Sequence, residues 1–295
     1  MSMRKQFVAT VSRLLAEDPR VVLLLGDIGV FGFNEAAGRF PDRVYNIGIL
    51  EQATVSLAAG LAKTELIPIV HTIAPFLTER CLEQIKVDFG YQALGGNFVT
   101  VGASYDYAAL GCTHHCPGDV QAVTTVPGVE VIVPGTAAEF DRLFRETYDS
   151  GRPTYFRLAE NEHRAETAAP FGQGCVVKEG KAATVVVIGP LLESVLEAAR
   201  NLDVTVLYYH TVQPFDGDTL RHHAPAGKVL LCEPYYRGGL AAEITEALWP
   251  RPVLLRSVGV PRRFLTEYGK VEQHDAAIGL APDAIRAELE VLIHA

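Results

Sequence analysis

The chain has 295 residues, 48% of them hydrophobic and 21% charged, which is the composition of a globular protein with a substantial core. Acidic residues outnumber basic ones by 35 to 26, and the formal net charge is -9. Because nucleic-acid-binding surfaces need clustered Lys and Arg, this balance argues against one.

The first segment, residues 1–20, is amphipathic, with Phe7, Val11, Leu14 and Leu15 at helical spacing. It lacks the continuous apolar stretch of a signal peptide, and no apolar run approaches the roughly 20 residues that span a bilayer. Five scattered cysteines in such a chain indicate reduced thiols. We therefore expect a cytoplasmic protein that contacts no membrane.

Short apolar runs along the first half of the chain predict strands that are buried on both faces. These runs are residues 20–26, 67–73, 97–103, 129–135 and 153–158. Between them, helical periodicity covers residues 49–65, 76–94 and 137–151. The alternation predicts a mostly parallel α/β sheet with helices on both faces.

A polar stretch with Gly and Pro and no clear period follows, after which the alternation starts again. Strands are predicted over residues 183–189, 204–209 and 228–234, and helices over residues 191–201, 239–248 and 282–293. We therefore predict two α/β domains, residues 1–160 and 182–295, joined by a linker over residues 161–181.

Residues 46–62, NIGILEQATVSLAAGLA, are the most informative segment. They place an acid, Glu51, at the start of a helix that follows a strand. An acid in the first turn is favoured by the helix dipole whether or not it has a function. The rest of the helix is apolar or small, however, so Glu51 enters a core and needs a partner or a proton there.

This segment resembles the N-x-G-I-x-E-Q…A-A-G-L-A signature of transketolases, and the similarity extends along the chain. Residues 70–85 resemble the family's S-T-F…R…D-Q-I stretch, and residues 111–135 resemble D-G-x-T-H-Q…P. Residues 151–158 resemble the G-P-x-Y-I-R-L that closes the pyrimidine-binding domain, and residues 233–248 resemble the C-terminal E-x-H-x-x-x-G-G-L-G motif.

The resemblance implies a thiamine-diphosphate pyrimidine-binding domain followed by a transketolase C-terminal domain. The chain is about the size of these two domains, and the G-D-G metal motif of the family's diphosphate-binding domain does not occur in it. We therefore expect a separate N-terminal subunit that supplies Mg²⁺ and the diphosphate site, in an α₂β₂ assembly. No metal ligand is expected in this chain.

The resemblance also assigns roles to four residues around the cofactor. Glu51 matches the acid that shares a proton with N1′ of the aminopyrimidine and so assists activation of the thiazolium carbon. Phe76 matches an aromatic residue of the pyrimidine pocket, where stacking on a flat ring is favourable. Ile73 replaces the pocket's other aromatic residue, and Asp27 matches an acid at the cofactor end of the sheet, although Asp27 could equally cap a turn.

His114 matches the histidine that contacts the donor's hydroxyl groups and assists proton transfer, for which an imidazole is suited. His115 stands where the family has Gln, and either histidine could simply belong to a turn. A zinc site formed with Cys112 and Cys116 is a weaker alternative. Structural zinc sites draw on two separated ligand pairs, and neighbouring histidines converge poorly on one ion.

The positions that bind the acceptor's phosphate group in the family have changed. Of the cationic residues at this phosphate site, only Arg4 remains. Glu160 stands where the family has an Arg, and Gly102 or a neighbour stands where it has a His. The Asp and Ser that the family also has at this site correspond to Leu110 and to a position near Phe31. A carboxylate in place of a phosphate-pairing Arg repels phosphate, so we expect an acceptor other than an ordinary aldose phosphate.

Together these observations predict transfer of a two-carbon ketol unit from a ketose donor to an aldehyde-type acceptor, with Arg4, His114 and His115 as substrate-binding residues. One alternative is the β subunit of a 2-oxoacid dehydrogenase, which shares the architecture. A second is a non-catalytic scaffold, against which the retention of Glu51 and His114 speaks.

Overall fold

The computed structural model describes all 295 residues, which form two β-sheets with helices packed on them. The strands are β1 (Val21–Leu25), β2 (Val44–Asn46), β3 (Ile67–Ile73), β4 (Gly96–Val101), β5 (Glu130–Ile132), β6 (Pro153–Arg157), β7 (Cys175–Lys178), β8 (Ala183–Ile188), β9 (Val204–Tyr209), β10 (Thr211–Gln213), β11 (Lys228–Tyr236) and β12 (Leu254–Val260). The α-helices are α1 (Met3–Glu17), α2 (Asn34–Arg39), α3 (Glu51–Ala62), α4 (Ala74–Thr78), α5 (Leu82–Gln84), α6 (Asp119–Val123), α7 (Ala137–Thr147), α8 (Leu192–Ala198), α9 (Gly217–His223), α10 (Ala241–Leu248), α11 (Val271–Ile278) and α12 (Pro282–His294).

The first sheet has seven strands in the order β10-β5-β6-β4-β3-β1-β2. All its pairings are parallel except that of β10 with β5. Every residue of β1, β3, β4 and β6 is buried, as the continuous apolar runs predict for strands covered on both faces. Parallel strands bring their carboxyl ends to one edge of the sheet, and ligand sites of α/β proteins lie there.

The second sheet has five strands in the order β12-β11-β8-β9-β7, parallel except for the pairing of β7 with β9. Helices α8 and α12 pack on it through a cluster of buried Leu, Ile and Val side chains. The predicted fold class, two mostly parallel α/β units with helices on both faces, is therefore confirmed.

The segment predicted as a linker, residues 161–181, contains β7, which pairs with β9 in the second sheet. Its four residues are only half-buried and stand between Gly174 and Gly180, so the strand is too short to be recognised as an apolar run. Conversely, β10 follows β9 directly yet returns to the first sheet. The domain boundaries themselves stay a prediction.

Helix α1 shows how the amphipathic pattern positions an element. Its buried side chains include Phe7, whose ring lies 5.4 Å from Phe33 and 6.0 Å from Phe140 on α7. The opposite face carries Arg4 and Lys5, which are exposed. No helix in the chain combines the length and the apolar character that crossing a membrane requires.

Candidate active site

Glu51 is the first residue of α3 and lies near the carboxyl ends of β1 and β3. A turn at Gly48, whose φ is +83°, leads into the helix, and only glycine adopts that conformation readily. The Glu51 side chain is buried, and its Oε1 atom has no hydrogen-bond partner. A buried carboxyl oxygen without a hydrogen-bond partner is costly, so this atom is available to a ligand that shares a proton with it.

Arg80 holds the other oxygen of Glu51, a contact that the sequence reasoning did not assign. Its Nη1 donates to Glu51 Oε2 at 2.9 Å, and its guanidinium lies 4.2 Å from the centre of the Phe76 ring. Phe76 and Arg80 are one helical turn apart, which is the only signal in the sequence for their contact. The ion pair and the cation–π contact together fix the orientation of Glu51 beside a half-buried aromatic ring.

His114 lies on the loop between β4 and α6 and faces the same ring. Its imidazole is 5.5 Å from Phe76 and 6.2 Å from Tyr107, edge-on in both cases. The Nδ1 atom is 2.9 Å from Thr113 Oγ1, and the side chain is half-buried. The fold thus brings Glu51, Phe76 and His114 to one site from three separate segments.

The four residues of the alternative zinc site do not converge. His115 turns away from His114 and packs 5.8 Å from His274 of α11, where burial lowers the pKa of His115. The Cys116 thiol is buried near Thr78 and Glu79, and Cys112 is exposed. No three His, Cys, Asp or Glu side chains of the chain meet in an arrangement that could hold a metal ion.

Asp27 follows β1 at the same edge of the sheet. It is exposed and exchanges two hydrogen bonds with Asn46, at 3.0 and 3.1 Å. Asn46 Oδ1 also accepts from the Gly48 amide at 3.2 Å, so this pair ties the loop after β1 to the turn before Glu51. The sequence motif includes Asn46, but nothing in its spacing reveals this positioning contact.

Ile73 is the last residue of β3 and is buried beside Gly102. A Cβ atom at Gly102 would lie 2.5 Å from the Tyr107 ring and 3.1 Å from Ile73, so no side chain fits at this position. Arg4, Gly102, Tyr107 and Glu160 line one cavity of about 200 Å³. Three of the positions expected at the acceptor site, Arg4, Gly102 and Glu160, therefore line one cavity, with one cation and one acid among them, whereas Leu110 and Phe31 do not line it.

A buried polar network lies behind the site and joins it to the second sheet. Arg157 Nε donates to Asp119 Oδ2 at 2.7 Å, and both residues are fully buried. The Tyr155 hydroxyl donates to the same carboxylate oxygen at 2.9 Å, while Arg157 also donates to Ser104 Oγ and to the Pro234 carbonyl. The network links β6, the His114 loop and β11.

The EPYYRGGL segment of the second sheet has a structural role. The Glu233 carboxylate accepts from the backbone amides of Gly238, Gly239 and Leu240 at 2.5–3.1 Å. Burial nevertheless raises the pKa of Glu233 to about 7. These bonds fix the loop that leads into α10.

Two family descriptions match the chain: the transketolase pyrimidine-binding domain over residues 1–165 and the transketolase C-terminal domain over residues 172–285. The chain therefore belongs to the transketolase family.

Among its relatives, a 33.6 kDa protein in the fasciation locus of Rhodococcoides fascians is 39% identical over 93% of this chain and 89% of its own length. A subunit of the apulose-4-phosphate transketolase of Phocaeicola vulgatus is 28% identical over 88% of this chain and 87% of its own length. A solved split-gene transketolase, described as an inactive beta4 tetramer, has a TM-score of 0.87 and 25% identity and covers 100% of this chain.

Proposed function

We propose that this chain is one subunit of a two-component, thiamine-diphosphate-dependent transketolase that transfers a two-carbon ketol unit to an aldehyde-type acceptor. The observation that carries the proposal is the buried Glu51 carboxyl group, which has one oxygen fixed by Arg80 and the other free beside Phe76. These residues fit an aminopyrimidine, which offers a ring nitrogen to an acid and a flat face to an aromatic ring.

Each residue then has a defined task. Glu51 holds the proton that is shared with the pyrimidine nitrogen, and Arg80 keeps the carboxyl group oriented. Phe76 and Ile73 form the walls of the pyrimidine pocket, and Asp27 borders it. Thiamine diphosphate, when bound, would supply a nucleophilic carbon for the reaction with the donor. His114, near the Phe76 ring, is placed to move protons on the donor's hydroxyl groups.

A partner subunit is part of the proposal. The surface beside Glu51 exposes Ile49, Leu50 and Leu57 by 69%, 59% and 45%, an apolar surface that a second chain would cover. The names of the split relatives support such an assembly. We propose that the partner binds the diphosphate group and Mg²⁺, and that two copies of each chain form an α₂β₂ enzyme.

The acceptor is proposed not to be an ordinary aldose phosphate. Glu160 lines the cavity that holds Arg4, and Gly102 leaves no room there for an imidazole. His115 packs against His274 of α11 rather than facing the Phe76 ring, so we propose no direct contact of His115 with the substrate. Ribose 5-phosphate should be a poor acceptor for the reconstituted pair, and efficient turnover would refute this part of the proposal.

Glu51→Gln tests the central claim. We expect turnover of the complex with its co-purified partner to fall at least about 100-fold, because a positioned acid contributes a factor of this order. Isothermal titration should still detect thiamine diphosphate binding, since the aromatic wall remains. Glu83→Gln, an exposed acid nearby, is the matched control and should leave turnover unchanged. Undiminished activity of Glu51→Gln would exclude the mechanism.

A transfer assay distinguishes the proposed ketol transferase from the alternative, a 2-oxoacid dehydrogenase subunit. A ketol transferase gives a product two carbons longer than the acceptor aldehyde, whereas the alternative gives an acyl group on lipoamide. Lipoamide acylation without a two-carbon-extended product would favour the alternative.

A further inference from the structure

A second cavity, of about 370 Å³, lies on the other side of Arg4 between α1 and the loop that follows β1. Its lining includes Arg4 and Lys5 from α1, Gly29 and Phe31 from the loop, and His71 from β3. None of these residues except Arg4 has a role in the proposed reaction. We call this cavity the His71 pocket.

His71 is fully buried and has one unsatisfied ring nitrogen. Its Nδ1 atom is 2.8 Å from the Val99 carbonyl oxygen, and because a carbonyl only accepts, Nδ1 carries the proton. Burial, opposed by the hydrogen bond to Val99 and assisted by the charge of Arg4, lowers the pKa of His71 to about 4, so the ring is neutral near pH 7. Nε2 is therefore a bare acceptor, and a group that binds to it must donate a proton.

The entrance of the His71 pocket carries positive charge, whereas the ring nitrogen inside it is neutral. Arg4 and Lys5 are exposed there, and neither forms an ion pair within the chain. Two unpaired cations at the entrance to a small cavity favour an anionic group. Phe31, which is 91% exposed, adds an apolar surface beside them.

The space next to Nε2 depends on glycine. Gly29 has a φ of +75°, and a Cβ atom at this position would lie 3.0–3.1 Å from the imidazole Cδ2 and Nε2 atoms. Any larger residue would cover the free nitrogen. On the other face of the imidazole, the Phe7 ring packs at 4.5 Å and fixes the ring plane. The buried nitrogen is thus held in place next to Gly29, and both residues line the pocket.

We propose that the His71 pocket binds the far end of the acceptor, and that this end carries a hydroxyl group next to a carboxylate. This inference rests on the proposed ketol transfer and names the acceptor class. The hydroxyl group donates to His71 Nε2 while the carboxylate pairs with Arg4 and Lys5. A fully ionised phosphate has no proton to donate to Nε2, and Glu160, beyond Arg4, opposes its second charge.

Direct binding to the isolated 295-residue chain tests the proposal without cofactor, partner or turnover. The probes, all at pH 8, are D-glycerate, which has both groups, propionate, which lacks the hydroxyl group, and methyl phosphate, which at that pH is a dianion without a proton to donate. In long-range ¹H–¹⁵N spectra, D-glycerate should shift the His71 Nε2 resonance. Glycerate should also bind about tenfold or more tightly than propionate or methyl phosphate, the factor of one hydrogen bond to a fixed partner.

Variants separate the two halves of the pocket. Arg4→Gln should weaken glycerate binding about tenfold, whereas Arg13→Gln, an unpaired and exposed arginine on the same helix, should not. His71→Asn keeps a donor for the Val99 carbonyl but lacks Nε2, so it should lose the preference for glycerate over propionate. An unmoved Nε2 resonance in the wild type, or equal binding of propionate or methyl phosphate, would overturn the proposal even if Glu51→Gln behaves as expected.

Discussion

At the scale of single residues, Glu51 and His71 are both buried polar side chains whose hydrogen bonding is incomplete. Each is buried with one polar atom satisfied by the protein and one left without a partner. Such atoms destabilise the folded chain unless a ligand completes them. The two free atoms differ chemically: that of Glu51 is a carboxyl oxygen, and that of His71 is a neutral ring nitrogen.

His71 gives the folded chain a defined pH dependence. Its pKa is about 4 when folded and about 6.5 when unfolded, so the unfolded chain binds more protons between these values. The stability associated with neutral His71 is fully present above about pH 6.5 and is lost as the pH falls towards 4. We expect this loss to be about 3 kcal/mol, measured by urea unfolding at several pH values.

His71→Asn removes this titration, so its free energy of unfolding should fall less between pH 6.5 and pH 4 than that of the wild type. His294→Asn, which replaces an exposed histidine at the end of α12, is the control and should follow the wild type. Parallel pH profiles for His71→Asn and the wild type would show that the ring titrates normally.

Part of the candidate site could be predicted at this scale. The family resemblance indicated Glu51, Phe76 and His114, which the fold brings together; Glu51 and Phe76 lie in the first turns of helices, whereas His114 lies within a loop. Arg80, Asn46 and His71 were missed. Their contacts depend on side-chain directions after the chain has folded, and apart from the one-turn separation of Phe76 and Arg80 the spacing in the sequence does not indicate them.

At the scale of elements, the pair Arg157 and Asp119 holds the His114 loop against β6. Both side chains are fully buried, and their ion pair is 2.7 Å long. Asp119→Ala should reduce the free energy of unfolding by about 3–5 kcal/mol, because it leaves a buried guanidinium without a counter-charge. Urea unfolding at neutral pH measures the loss.

Asp218→Ala is the matched control, because Asp218 pairs with Arg221 on the surface of α9 and is 81% exposed. That change should alter stability by no more than about 0.5 kcal/mol. Equal effects of the two substitutions would mean that the buried pair does not stabilise the fold.

The sequence pattern predicted the long, buried strands, the short strand β5 and most of the longer helices, but not the other short elements. Strands β2 and β7 have three and four residues, and helix α6 has five. An alternation or a helical stripe needs more residues than that to be visible. Strand β12 was also missed, because its residues are largely half-buried or exposed and it lies at the edge of its sheet.

At the scale of the whole molecule, the apolar surface formed by Ile49, Leu50 and Leu57 is where we expect the partner subunit. Leu57→Lys should weaken assembly with the co-purified partner at least about 100-fold, since a charge at the centre of an interface must be desolvated. The isolated chain should keep its melting temperature, because Leu57 is 45% exposed. Analytical size exclusion of the mixture measures assembly.

Val291→Lys is the control for this prediction. Val291 is 55% exposed on α12, in the second sheet's layer of helices, and lies outside the proposed surface. It should assemble like the wild type. If Leu57→Lys also assembles like the wild type, the partner binds elsewhere.

Strand β10 joins the two halves of the chain in a way that a linear domain map does not convey. It comes after three strands of the second sheet but pairs with Ile132 and Val131 of β5 in the first. Removing the second half would therefore uncover an apolar sheet edge that invites pairing between copies. The chain should melt in a single cooperative transition, and expressing residues 1–160 alone should give aggregated rather than folded material.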